Sequence, residues 1–258
     1  MTVLCYHTID EGWESPLAVR PADFEAQCAW LARHQRVLDL PEAVQRLDRR
    51  LRLPTGCASL TFDDGFTGVY DHAFPALRRW GLPATVYVVT RTLHDRTTPV
   101  DWVRESHPPG GLACIDPDQI LEMRETGIRF GSHTATHRDL PDLTFAEQVA
   151  ELRDSRQTLE DLLEEPVDTV AYPRGLHDEV TRDAARQAGY AFAFALPERR
   201  EPRGAYAVPR VGIYRGNTLR TLRMKTRRAY LPVRLRVGTP EMRARVAALR
   251  GSARSNDC

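Results

Sequence analysis

The 258 residues are 42% apolar and 28% charged, with 8% aromatics, 18 Pro and 16 Gly, which excludes disordered, collagen-like and linker-dominated chains and leaves an enzyme-sized packed domain. The formal charge of +1 conceals an uneven distribution: residues 199–258 hold 15 Arg and one Lys against Glu201, Glu241 and Asp257, a net +13 that leaves −12 for residues 1–198. A basic segment of this kind reads either as a solvated helical face or as a surface for anions or a membrane.

The N-terminal run Thr-Val-Leu-Cys-Tyr-His, 2–7, has no basic residues ahead of it and meets His7, Asp10 and Glu11 at once, unlike a secretory signal. The longest uncharged stretches, 80–90 and 187–197, are about half the ~20 residues of a membrane-spanning helix. The expectation is a cytoplasmic protein. Short β-branched or aromatic runs predict strands over 2–6, 36–40, 57–62, 84–90, 128–132, 167–172, 190–196 and 206–211, and apolar residues at three-to-four spacing predict helices over 21–34, 67–80, 116–126, 144–164 and 177–188. Thr144 with Glu147 reads as a capping box, and Gly81, Gly127 and Gly189 stand where helices should stop. Strand and helix in alternation, with strands apolar on both faces, imply a mainly parallel α/β sheet, open or closed. The stretch 91–115 interrupts this rhythm with Pro, Gly and charge and reads as a binding loop or lid. Beyond the last strand, 217–230 reads as a basic helix and 251–258 as a frayed tail. The five cysteines, odd in number and without a C-x-x-C, point to small core residues rather than disulfides or a thiolate metal site.

Chemistry concentrates at two strand ends. Asp63 and Asp64 stand where the strand over 57–62 becomes loop, and His133 and His137 follow the strand over 128–132 at i and i+4. Strand ends are where parallel α/β folds place function. Two imidazoles and one carboxylate make a metal set with an open position for water, and the second carboxylate then lies where a general base is needed. Hydrolysis of an amide or ester follows from that arrangement. No G-x-G-x-x-G or P-loop is present, which leaves nucleotide chemistry without a site, and nothing points to nucleic acid.

The segments TFDDG at 61–65, HTATH at 133–137 and AYPRG at 171–175 resemble, in that order, the first three motifs of the polysaccharide deacetylases of the NodB-homology type. LCYHTI around His7, GIRFGSHTATHRDL and VPRVGIYRGNT are similar to the branch acting on exopolysaccharides. The resemblance spans about residues 2–220. It implies a distorted (β/α)7-type barrel over 1–216 with a basic helical extension over 217–258, and metal-dependent removal of N-acetyl groups from an N-acetylhexosamine glycan or a lipid-linked precursor. By motif, Asp63 is the catalytic base, and Asp64, His133 and His137 hold the metal, zinc first, with cobalt, nickel or iron also suited. Tyr172, Pro173 and Arg174 are assigned to the substrate groove.

Two departures from the family pattern matter. Many members carry Arg two residues before the Pro of the third motif, where this chain has Ala171; Arg210 is then expected to bring charge near the base and substrate. The fifth motif, Leu-x-x-His, has no counterpart because His177 is the last histidine, so the acid comes from elsewhere or from solvent. His7 reads either as that general acid or a substrate contact, or as a buried or capping histidine. In the loop, Trp102 reads either as a sugar platform or as a packing anchor. The rival readings are a hydrolase of the same fold acting on a small cyclic amide or acylated metabolite, favoured by a narrow pocket, and a non-catalytic glycan-binding module. Leu219, Leu222, Met224, Tyr230 and Leu231 interleaved with Arg further predict an interfacial helix resting on anionic membrane, or one whose apolar face packs on the barrel.

Overall fold

Near-continuous apolar strands need cover on both faces, and in the computed structural model they obtain it by closing into a ring. The structure describes residues 2–47, 54–95, 97–104, 106–108, 110–197 and 204–237. Ten strands are present: β1 Thr2–Tyr6, β2 Thr8–Ile9, β3 Ala18–Val19, β4 Arg36–Val37, β5 Cys57–Phe62, β6 Thr85–Val88, β7 Arg129–Ser132, β8 Thr169–Ala171, β9 Phe192–Ala195 and β10 Val208–Gly212. All pairings are parallel, in the order β1-β10-β9-β8-β7-β6-β5, and β5 pairs back onto β1 with Thr2 opposite Ala58 and Tyr6 opposite Phe62. The result is a closed seven-stranded parallel barrel, with β4 added beside the start of β5.

Every residue of β1, β5 and β6 is buried. Val3, Tyr87, Ala171, Phe194 and Val208 form one cluster. Leu4, Tyr6, Leu60, Phe62 and Val86 belong to another, with residues of the surrounding helices. Those helices are α1 Pro21–His34, α2 Leu40–Gln45, α3 Phe74–Trp80, α4 Pro117–Glu125, α5 Phe145–Leu163, α6 Glu179–Gln187, α7 Leu219–Lys225 and α8 Tyr230–Val237. The capping box at Thr144 and Glu147 starts α5, and Gly81 ends α3 in the left-handed region at φ 60°, as expected of a residue without Cβ.

The elements depart from expectation where proline or capping intervenes. The strand expected over 36–40 stops at Val37, because the Asp39 side chain accepts from the Glu42 amide and caps α2, with Pro41 in its first turn. The helix expected over 67–80 opens as a π-turn over Val69–Ala73 before α3, since Pro75 has no N–H to give the turn behind it. The single basic helix expected over 217–230 is the shorter α7; a separate α8 follows, with Pro232 in its first turn. Leu222 is fully buried and Leu219 packs on the core, so the apolar face of α7 covers the barrel, while Met224 and Val233 stay exposed. None of the helices among the described residues is long and apolar enough to cross a membrane. The frayed tail expected over 251–258 lies outside the described residues.

The described part of stretch 91–115 packs against the barrel mouth. Its Val100 and Trp102 join Trp13, Phe66 and Val89 in a satellite cluster, and the Trp13 indole donates to the Ser106 carbonyl at 2.6 Å. This packing fixes one wall of the barrel mouth.

Candidate active site

The C-terminal ends of the strands bring the expected residues to one pocket of ≈ 190 Å³, lined by His7, Asp63, Asp64, His133, His137 and Arg174, with Trp102, Tyr214 and Arg234 among the remaining wall residues. Asp64 Oδ1 lies 3.3 Å from His137 Nε2 and 3.7 Å from His133 Nε2. One ligand atom of each lies within 4.8 Å of the others.

Local backbone geometry produces this convergence. Asp64 and His137 sit at φ 70° and 61°, and Thr134 between the histidines at φ 68°, conformations that cost energy for residues with a Cβ and gather at functional sites. The turn carrying both histidines is locked from within: the Thr134 amide donates to Ser132 Oγ, the His137 amide to Thr134 Oγ1, and the Thr136 amide and hydroxyl to Glu151. Gly131, just before it, is required by close approach, since a Cβ there would meet the Tyr87 ring at 2.6 Å.

The donor set suits a metal ion. His133 Nδ1 lies 2.7 Å from the Ala171 carbonyl; an N–H there fixes the tautomer and leaves Nε2 with its lone pair toward Asp64. His137 Nδ1 is buried without a partner among the described residues. Burial lowers the pKa of both imidazoles, in His137 with help from the charges of His133 and Arg174, so both are neutral ligands. Burial, then the neighbouring charge of Asp63, pushes the Asp64 carboxyl up to about 8. A cation would offset that cost, and Asp64, His133 and His137 are the residues that would hold one.

Asp63 has its cation built in. Arg210 Nη1 donates to Asp63 Oδ1 at 2.6 Å and Nη2 to Oδ2 at 2.7 Å, with Nη1 also 3.1 Å from Thr61 Oγ1. Burial pushes the Asp63 carboxyl up, but the Arg210 guanidinium outweighs it and holds Asp63 well below the usual carboxylate range. The Cys5 thiol donates to Asp63 Oδ2 at 3.3 Å.

Some expectations are corrected. Arg210, expected near both the base and the substrate, does bring its charge to Asp63 but is wholly buried and does not line the pocket, so it is not a substrate contact. Tyr172 and Pro173 are buried away from the pocket, the Tyr172 hydroxyl donating to the Tyr206 carbonyl. The third motif contributes instead the carbonyl of Ala171 and the side chain of Arg174, whose Nε donates to Asp139 and Nη2 to the Trp102 carbonyl. His7 does reach the pocket, with its buried Nδ1 unpartnered among the described residues. Trp102, left open as sugar platform or anchor, donates its indole N–H to Asp64 Oδ1 at 2.9 Å and stacks on His137 at 5.4 Å. Removing that bond while keeping a ring, Trp102→Phe, is expected to weaken metal affinity by roughly 10–100-fold, as loss of outer partners of metal ligands does; competition with a chromophoric chelator measures it.

A parallel barrel whose mouth gathers two histidines and two carboxylates is the architecture of a hydrolase. The profile of the polysaccharide deacetylase family matches residues 51–193, and the chain belongs to that family. It is 29% identical over 219 residues to YxkH of Bacillus subtilis (strain 168), spanning 84% of this chain and 72% of that protein. It is 24% identical over 206 residues to a poly-β-1,6-N-acetyl-D-glucosamine N-deacetylase of Staphylococcus aureus (strain MRSA252), spanning 75% of this chain and 67% of that one. Among solved structures, the Streptococcus pyogenes deacetylase PplD in complex with acetate superposes with a TM-score of 0.75 at 24% identity, covering 88% of this chain and 98% of PplD; the two share a fold.

Proposed function

We propose that the chain is a metal-dependent deacetylase that removes N-acetyl groups from an N-acetylhexosamine glycan or glycolipid precursor. The observation that carries this reading is the convergence of Asp64, His133 and His137 on one point with a second, Arg-paired carboxylate, Asp63, beside it. A divalent ion held by those three side chains, zinc or a similar metal, would polarise an acyl carbonyl and make water a better nucleophile. Asp63 takes the proton of the attacking water as its oxygen adds to the acyl carbon. Held at low pKa by Arg210, Asp63 is a weak base and keeps that proton only briefly. His7, burial of which lowers its pKa to about 4, enters the reaction neutral and is the more basic of the two. A ring nitrogen of His7 and an oxygen of Asp63 lie within 4.8 Å of each other, close enough for a proton to pass directly or through one water. His7 then passes the proton to the departing nitrogen as the C–N bond breaks, giving acetate and a free amine.

If His7 is the donor, His7→Ala is expected to slow hydrolysis of an acetamide, with its poor leaving group, by roughly 10²-fold or more, and an activated aryl acetate far less. Equal losses on both would reduce His7 to a positioning residue.

The pocket favours a second reading. Its ≈ 190 Å³, walled by Trp102, Val103 and Arg234, matches about one sugar unit, which also suits a small acylated metabolite or cyclic amide, while Trp102, His137 and Arg174 also line an adjoining cavity of ≈ 500 Å³. The intact donor set argues against a non-catalytic glycan-binding module. Mass spectrometry of zinc-loaded protein incubated with N-acetylhexosamine oligomers, lipid-linked acetylated sugars and cyclic amides decides among them. Acetyl loss from the sugars is expected; ring opening of a cyclic amide alone would replace the deacetylase reading.

A further inference from the structure

Residues 204–237 contain eight Arg, one Lys and no acidic residue. Several of these charges are satisfied: Arg210 by Asp63, Arg215 by Glu14 and the Asp10 and Ala18 carbonyls, Lys225 by the Gly212 carbonyl and Asn217. Arg234 differs. It comes from α8, lines the catalytic pocket, and has no hydrogen bond or ion pair among the described residues. Its surroundings are already positive, for burial and then the charge of Arg234 bring the Lys225 ammonium down to about 8. The pocket holds a second rim guanidinium, Arg174, anchored through Nε and Nη2, with Nη1 unpartnered among the described residues.

Arg174 is ion-paired with Asp139 through Nε, and Asp63 and Asp64 also line the cavity. Asp63, however, is matched by Arg210 and Asp64 would be matched by a metal, so Arg234 and the free edge of Arg174 keep charge that a neutral acetylated sugar meets only through its hydroxyls. An anion between them gains charge-assisted and bidentate hydrogen bonds. We propose that Arg174 and Arg234 form an anion subsite at the pocket rim, so that the substrate, on the deacetylase reading above, is a short acetylated amino sugar carrying a phosphate or carboxylate within about one sugar unit of the amide. Hydrolysis then turns a neutral amide into a cationic amine facing the same positive rim, which favours release of the product.

The test compares charged and neutral ligands on the zinc-loaded full chain. Turnover is measured with N-acetylglucosamine 1-phosphate, with a disaccharide joining N-acetylglucosamine to a uronic acid, and with the methyl glycoside and neutral disaccharide as counterparts. Calorimetry with the deacetylated products reads binding without catalysis. At least one charged ligand is expected to bind and turn over about tenfold better than its counterpart, and the better of the two identifies phosphate or carboxylate as the anion. Arg234→Gln is expected to remove most of that preference, through KM more than kcat, and Arg234→Lys to keep part of it. Arg220→Gln with Arg223→Gln, exposed on α7, should preserve the preference, whereas a loss there equal to that of Arg234→Gln would make it a diffuse field and overturn the subsite. Equal affinity for charged and neutral products also overturns it. Tighter binding of the charged product with no acetyl released from any sugar keeps the subsite and overturns the deacetylase reading instead.

Discussion

Asp63→Asn is expected to retain bound metal and lose roughly 10²–10⁴-fold in turnover, the contribution of a positioned general base, whereas Asp64→Asn is expected to lose the metal itself. The two carboxylates are chain neighbours and equally buried, so this difference rests on their partners alone. Asp63 is clamped by both terminal nitrogens of Arg210, and its charge is already matched. Among the described residues, the Asp64 carboxylate meets only the indole of Trp102 and the two imidazoles, and its charge is not. Metal analysis of the two purified variants, with activity measured in excess metal, separates the roles. Equal depletion of metal in both would show that the division is wrong.

The parts of the site that lie within one short motif were legible in the sequence, because their spacing alone brings them together. Asp63 and Asp64 follow a strand that is rich in apolar residues and wholly buried, and His133 and His137 share one turn. The barrel was legible for a related reason: strands buried on both faces leave few architectures besides a covered parallel sheet. What escaped came from afar or carried no side-chain signal. Arg210 was expected near the base and meets it across 147 positions; what escaped is that both its terminal nitrogens are spent there, although an Arg flanked by Val208, Pro209 and Val211 in a buried strand must find a counter-charge inside. The role of Ala171 is its carbonyl, which any residue at that position would supply. Trp102 and Arg234 reach the pocket from a loop and from a helix beyond the last strand, and their placement is set by packing on Trp13 and Phe66 in one case and by the break between α7 and α8 in the other. Tyr172 misled because the resemblance of AYPRG to the third motif placed it in the groove, whereas the Tyr-Pro pair only ends the strand and the hydroxyl turns to the Tyr206 carbonyl.

Arg210→Met is expected to be the most damaging substitution to stability, at about 3–5 kcal/mol, because it leaves a carboxylate buried without its partner. Met fills most of the volume and removes the charge, so the loss is electrostatic and must depend on pH. With Arg210 present, Asp63 titrates below its unfolded value, and the stability the pair contributes holds above that value and is lost only as pH falls through the depressed one. Without Arg210, burial governs and the carboxyl titrates above its unfolded value near 3.9. The sign then reverses: the variant is least impaired in acid and loses stability as pH rises through the raised pKa. Thermal unfolding at matched metal content should therefore show a deficit in Tm that is larger at pH 8 than at pH 4.5, and the acid limb of the rate profile should move to higher pH as the base becomes harder to ionise. Adding Asp63→Asn to Arg210→Met removes the stranded charge and should recover much of the lost stability while leaving activity absent. A double variant no more stable than Arg210→Met alone would mean that the guanidinium supports the barrel by packing on Tyr87, 5.4 Å from its ring centroid, and that the charge pair inside the barrel serves catalysis rather than the fold.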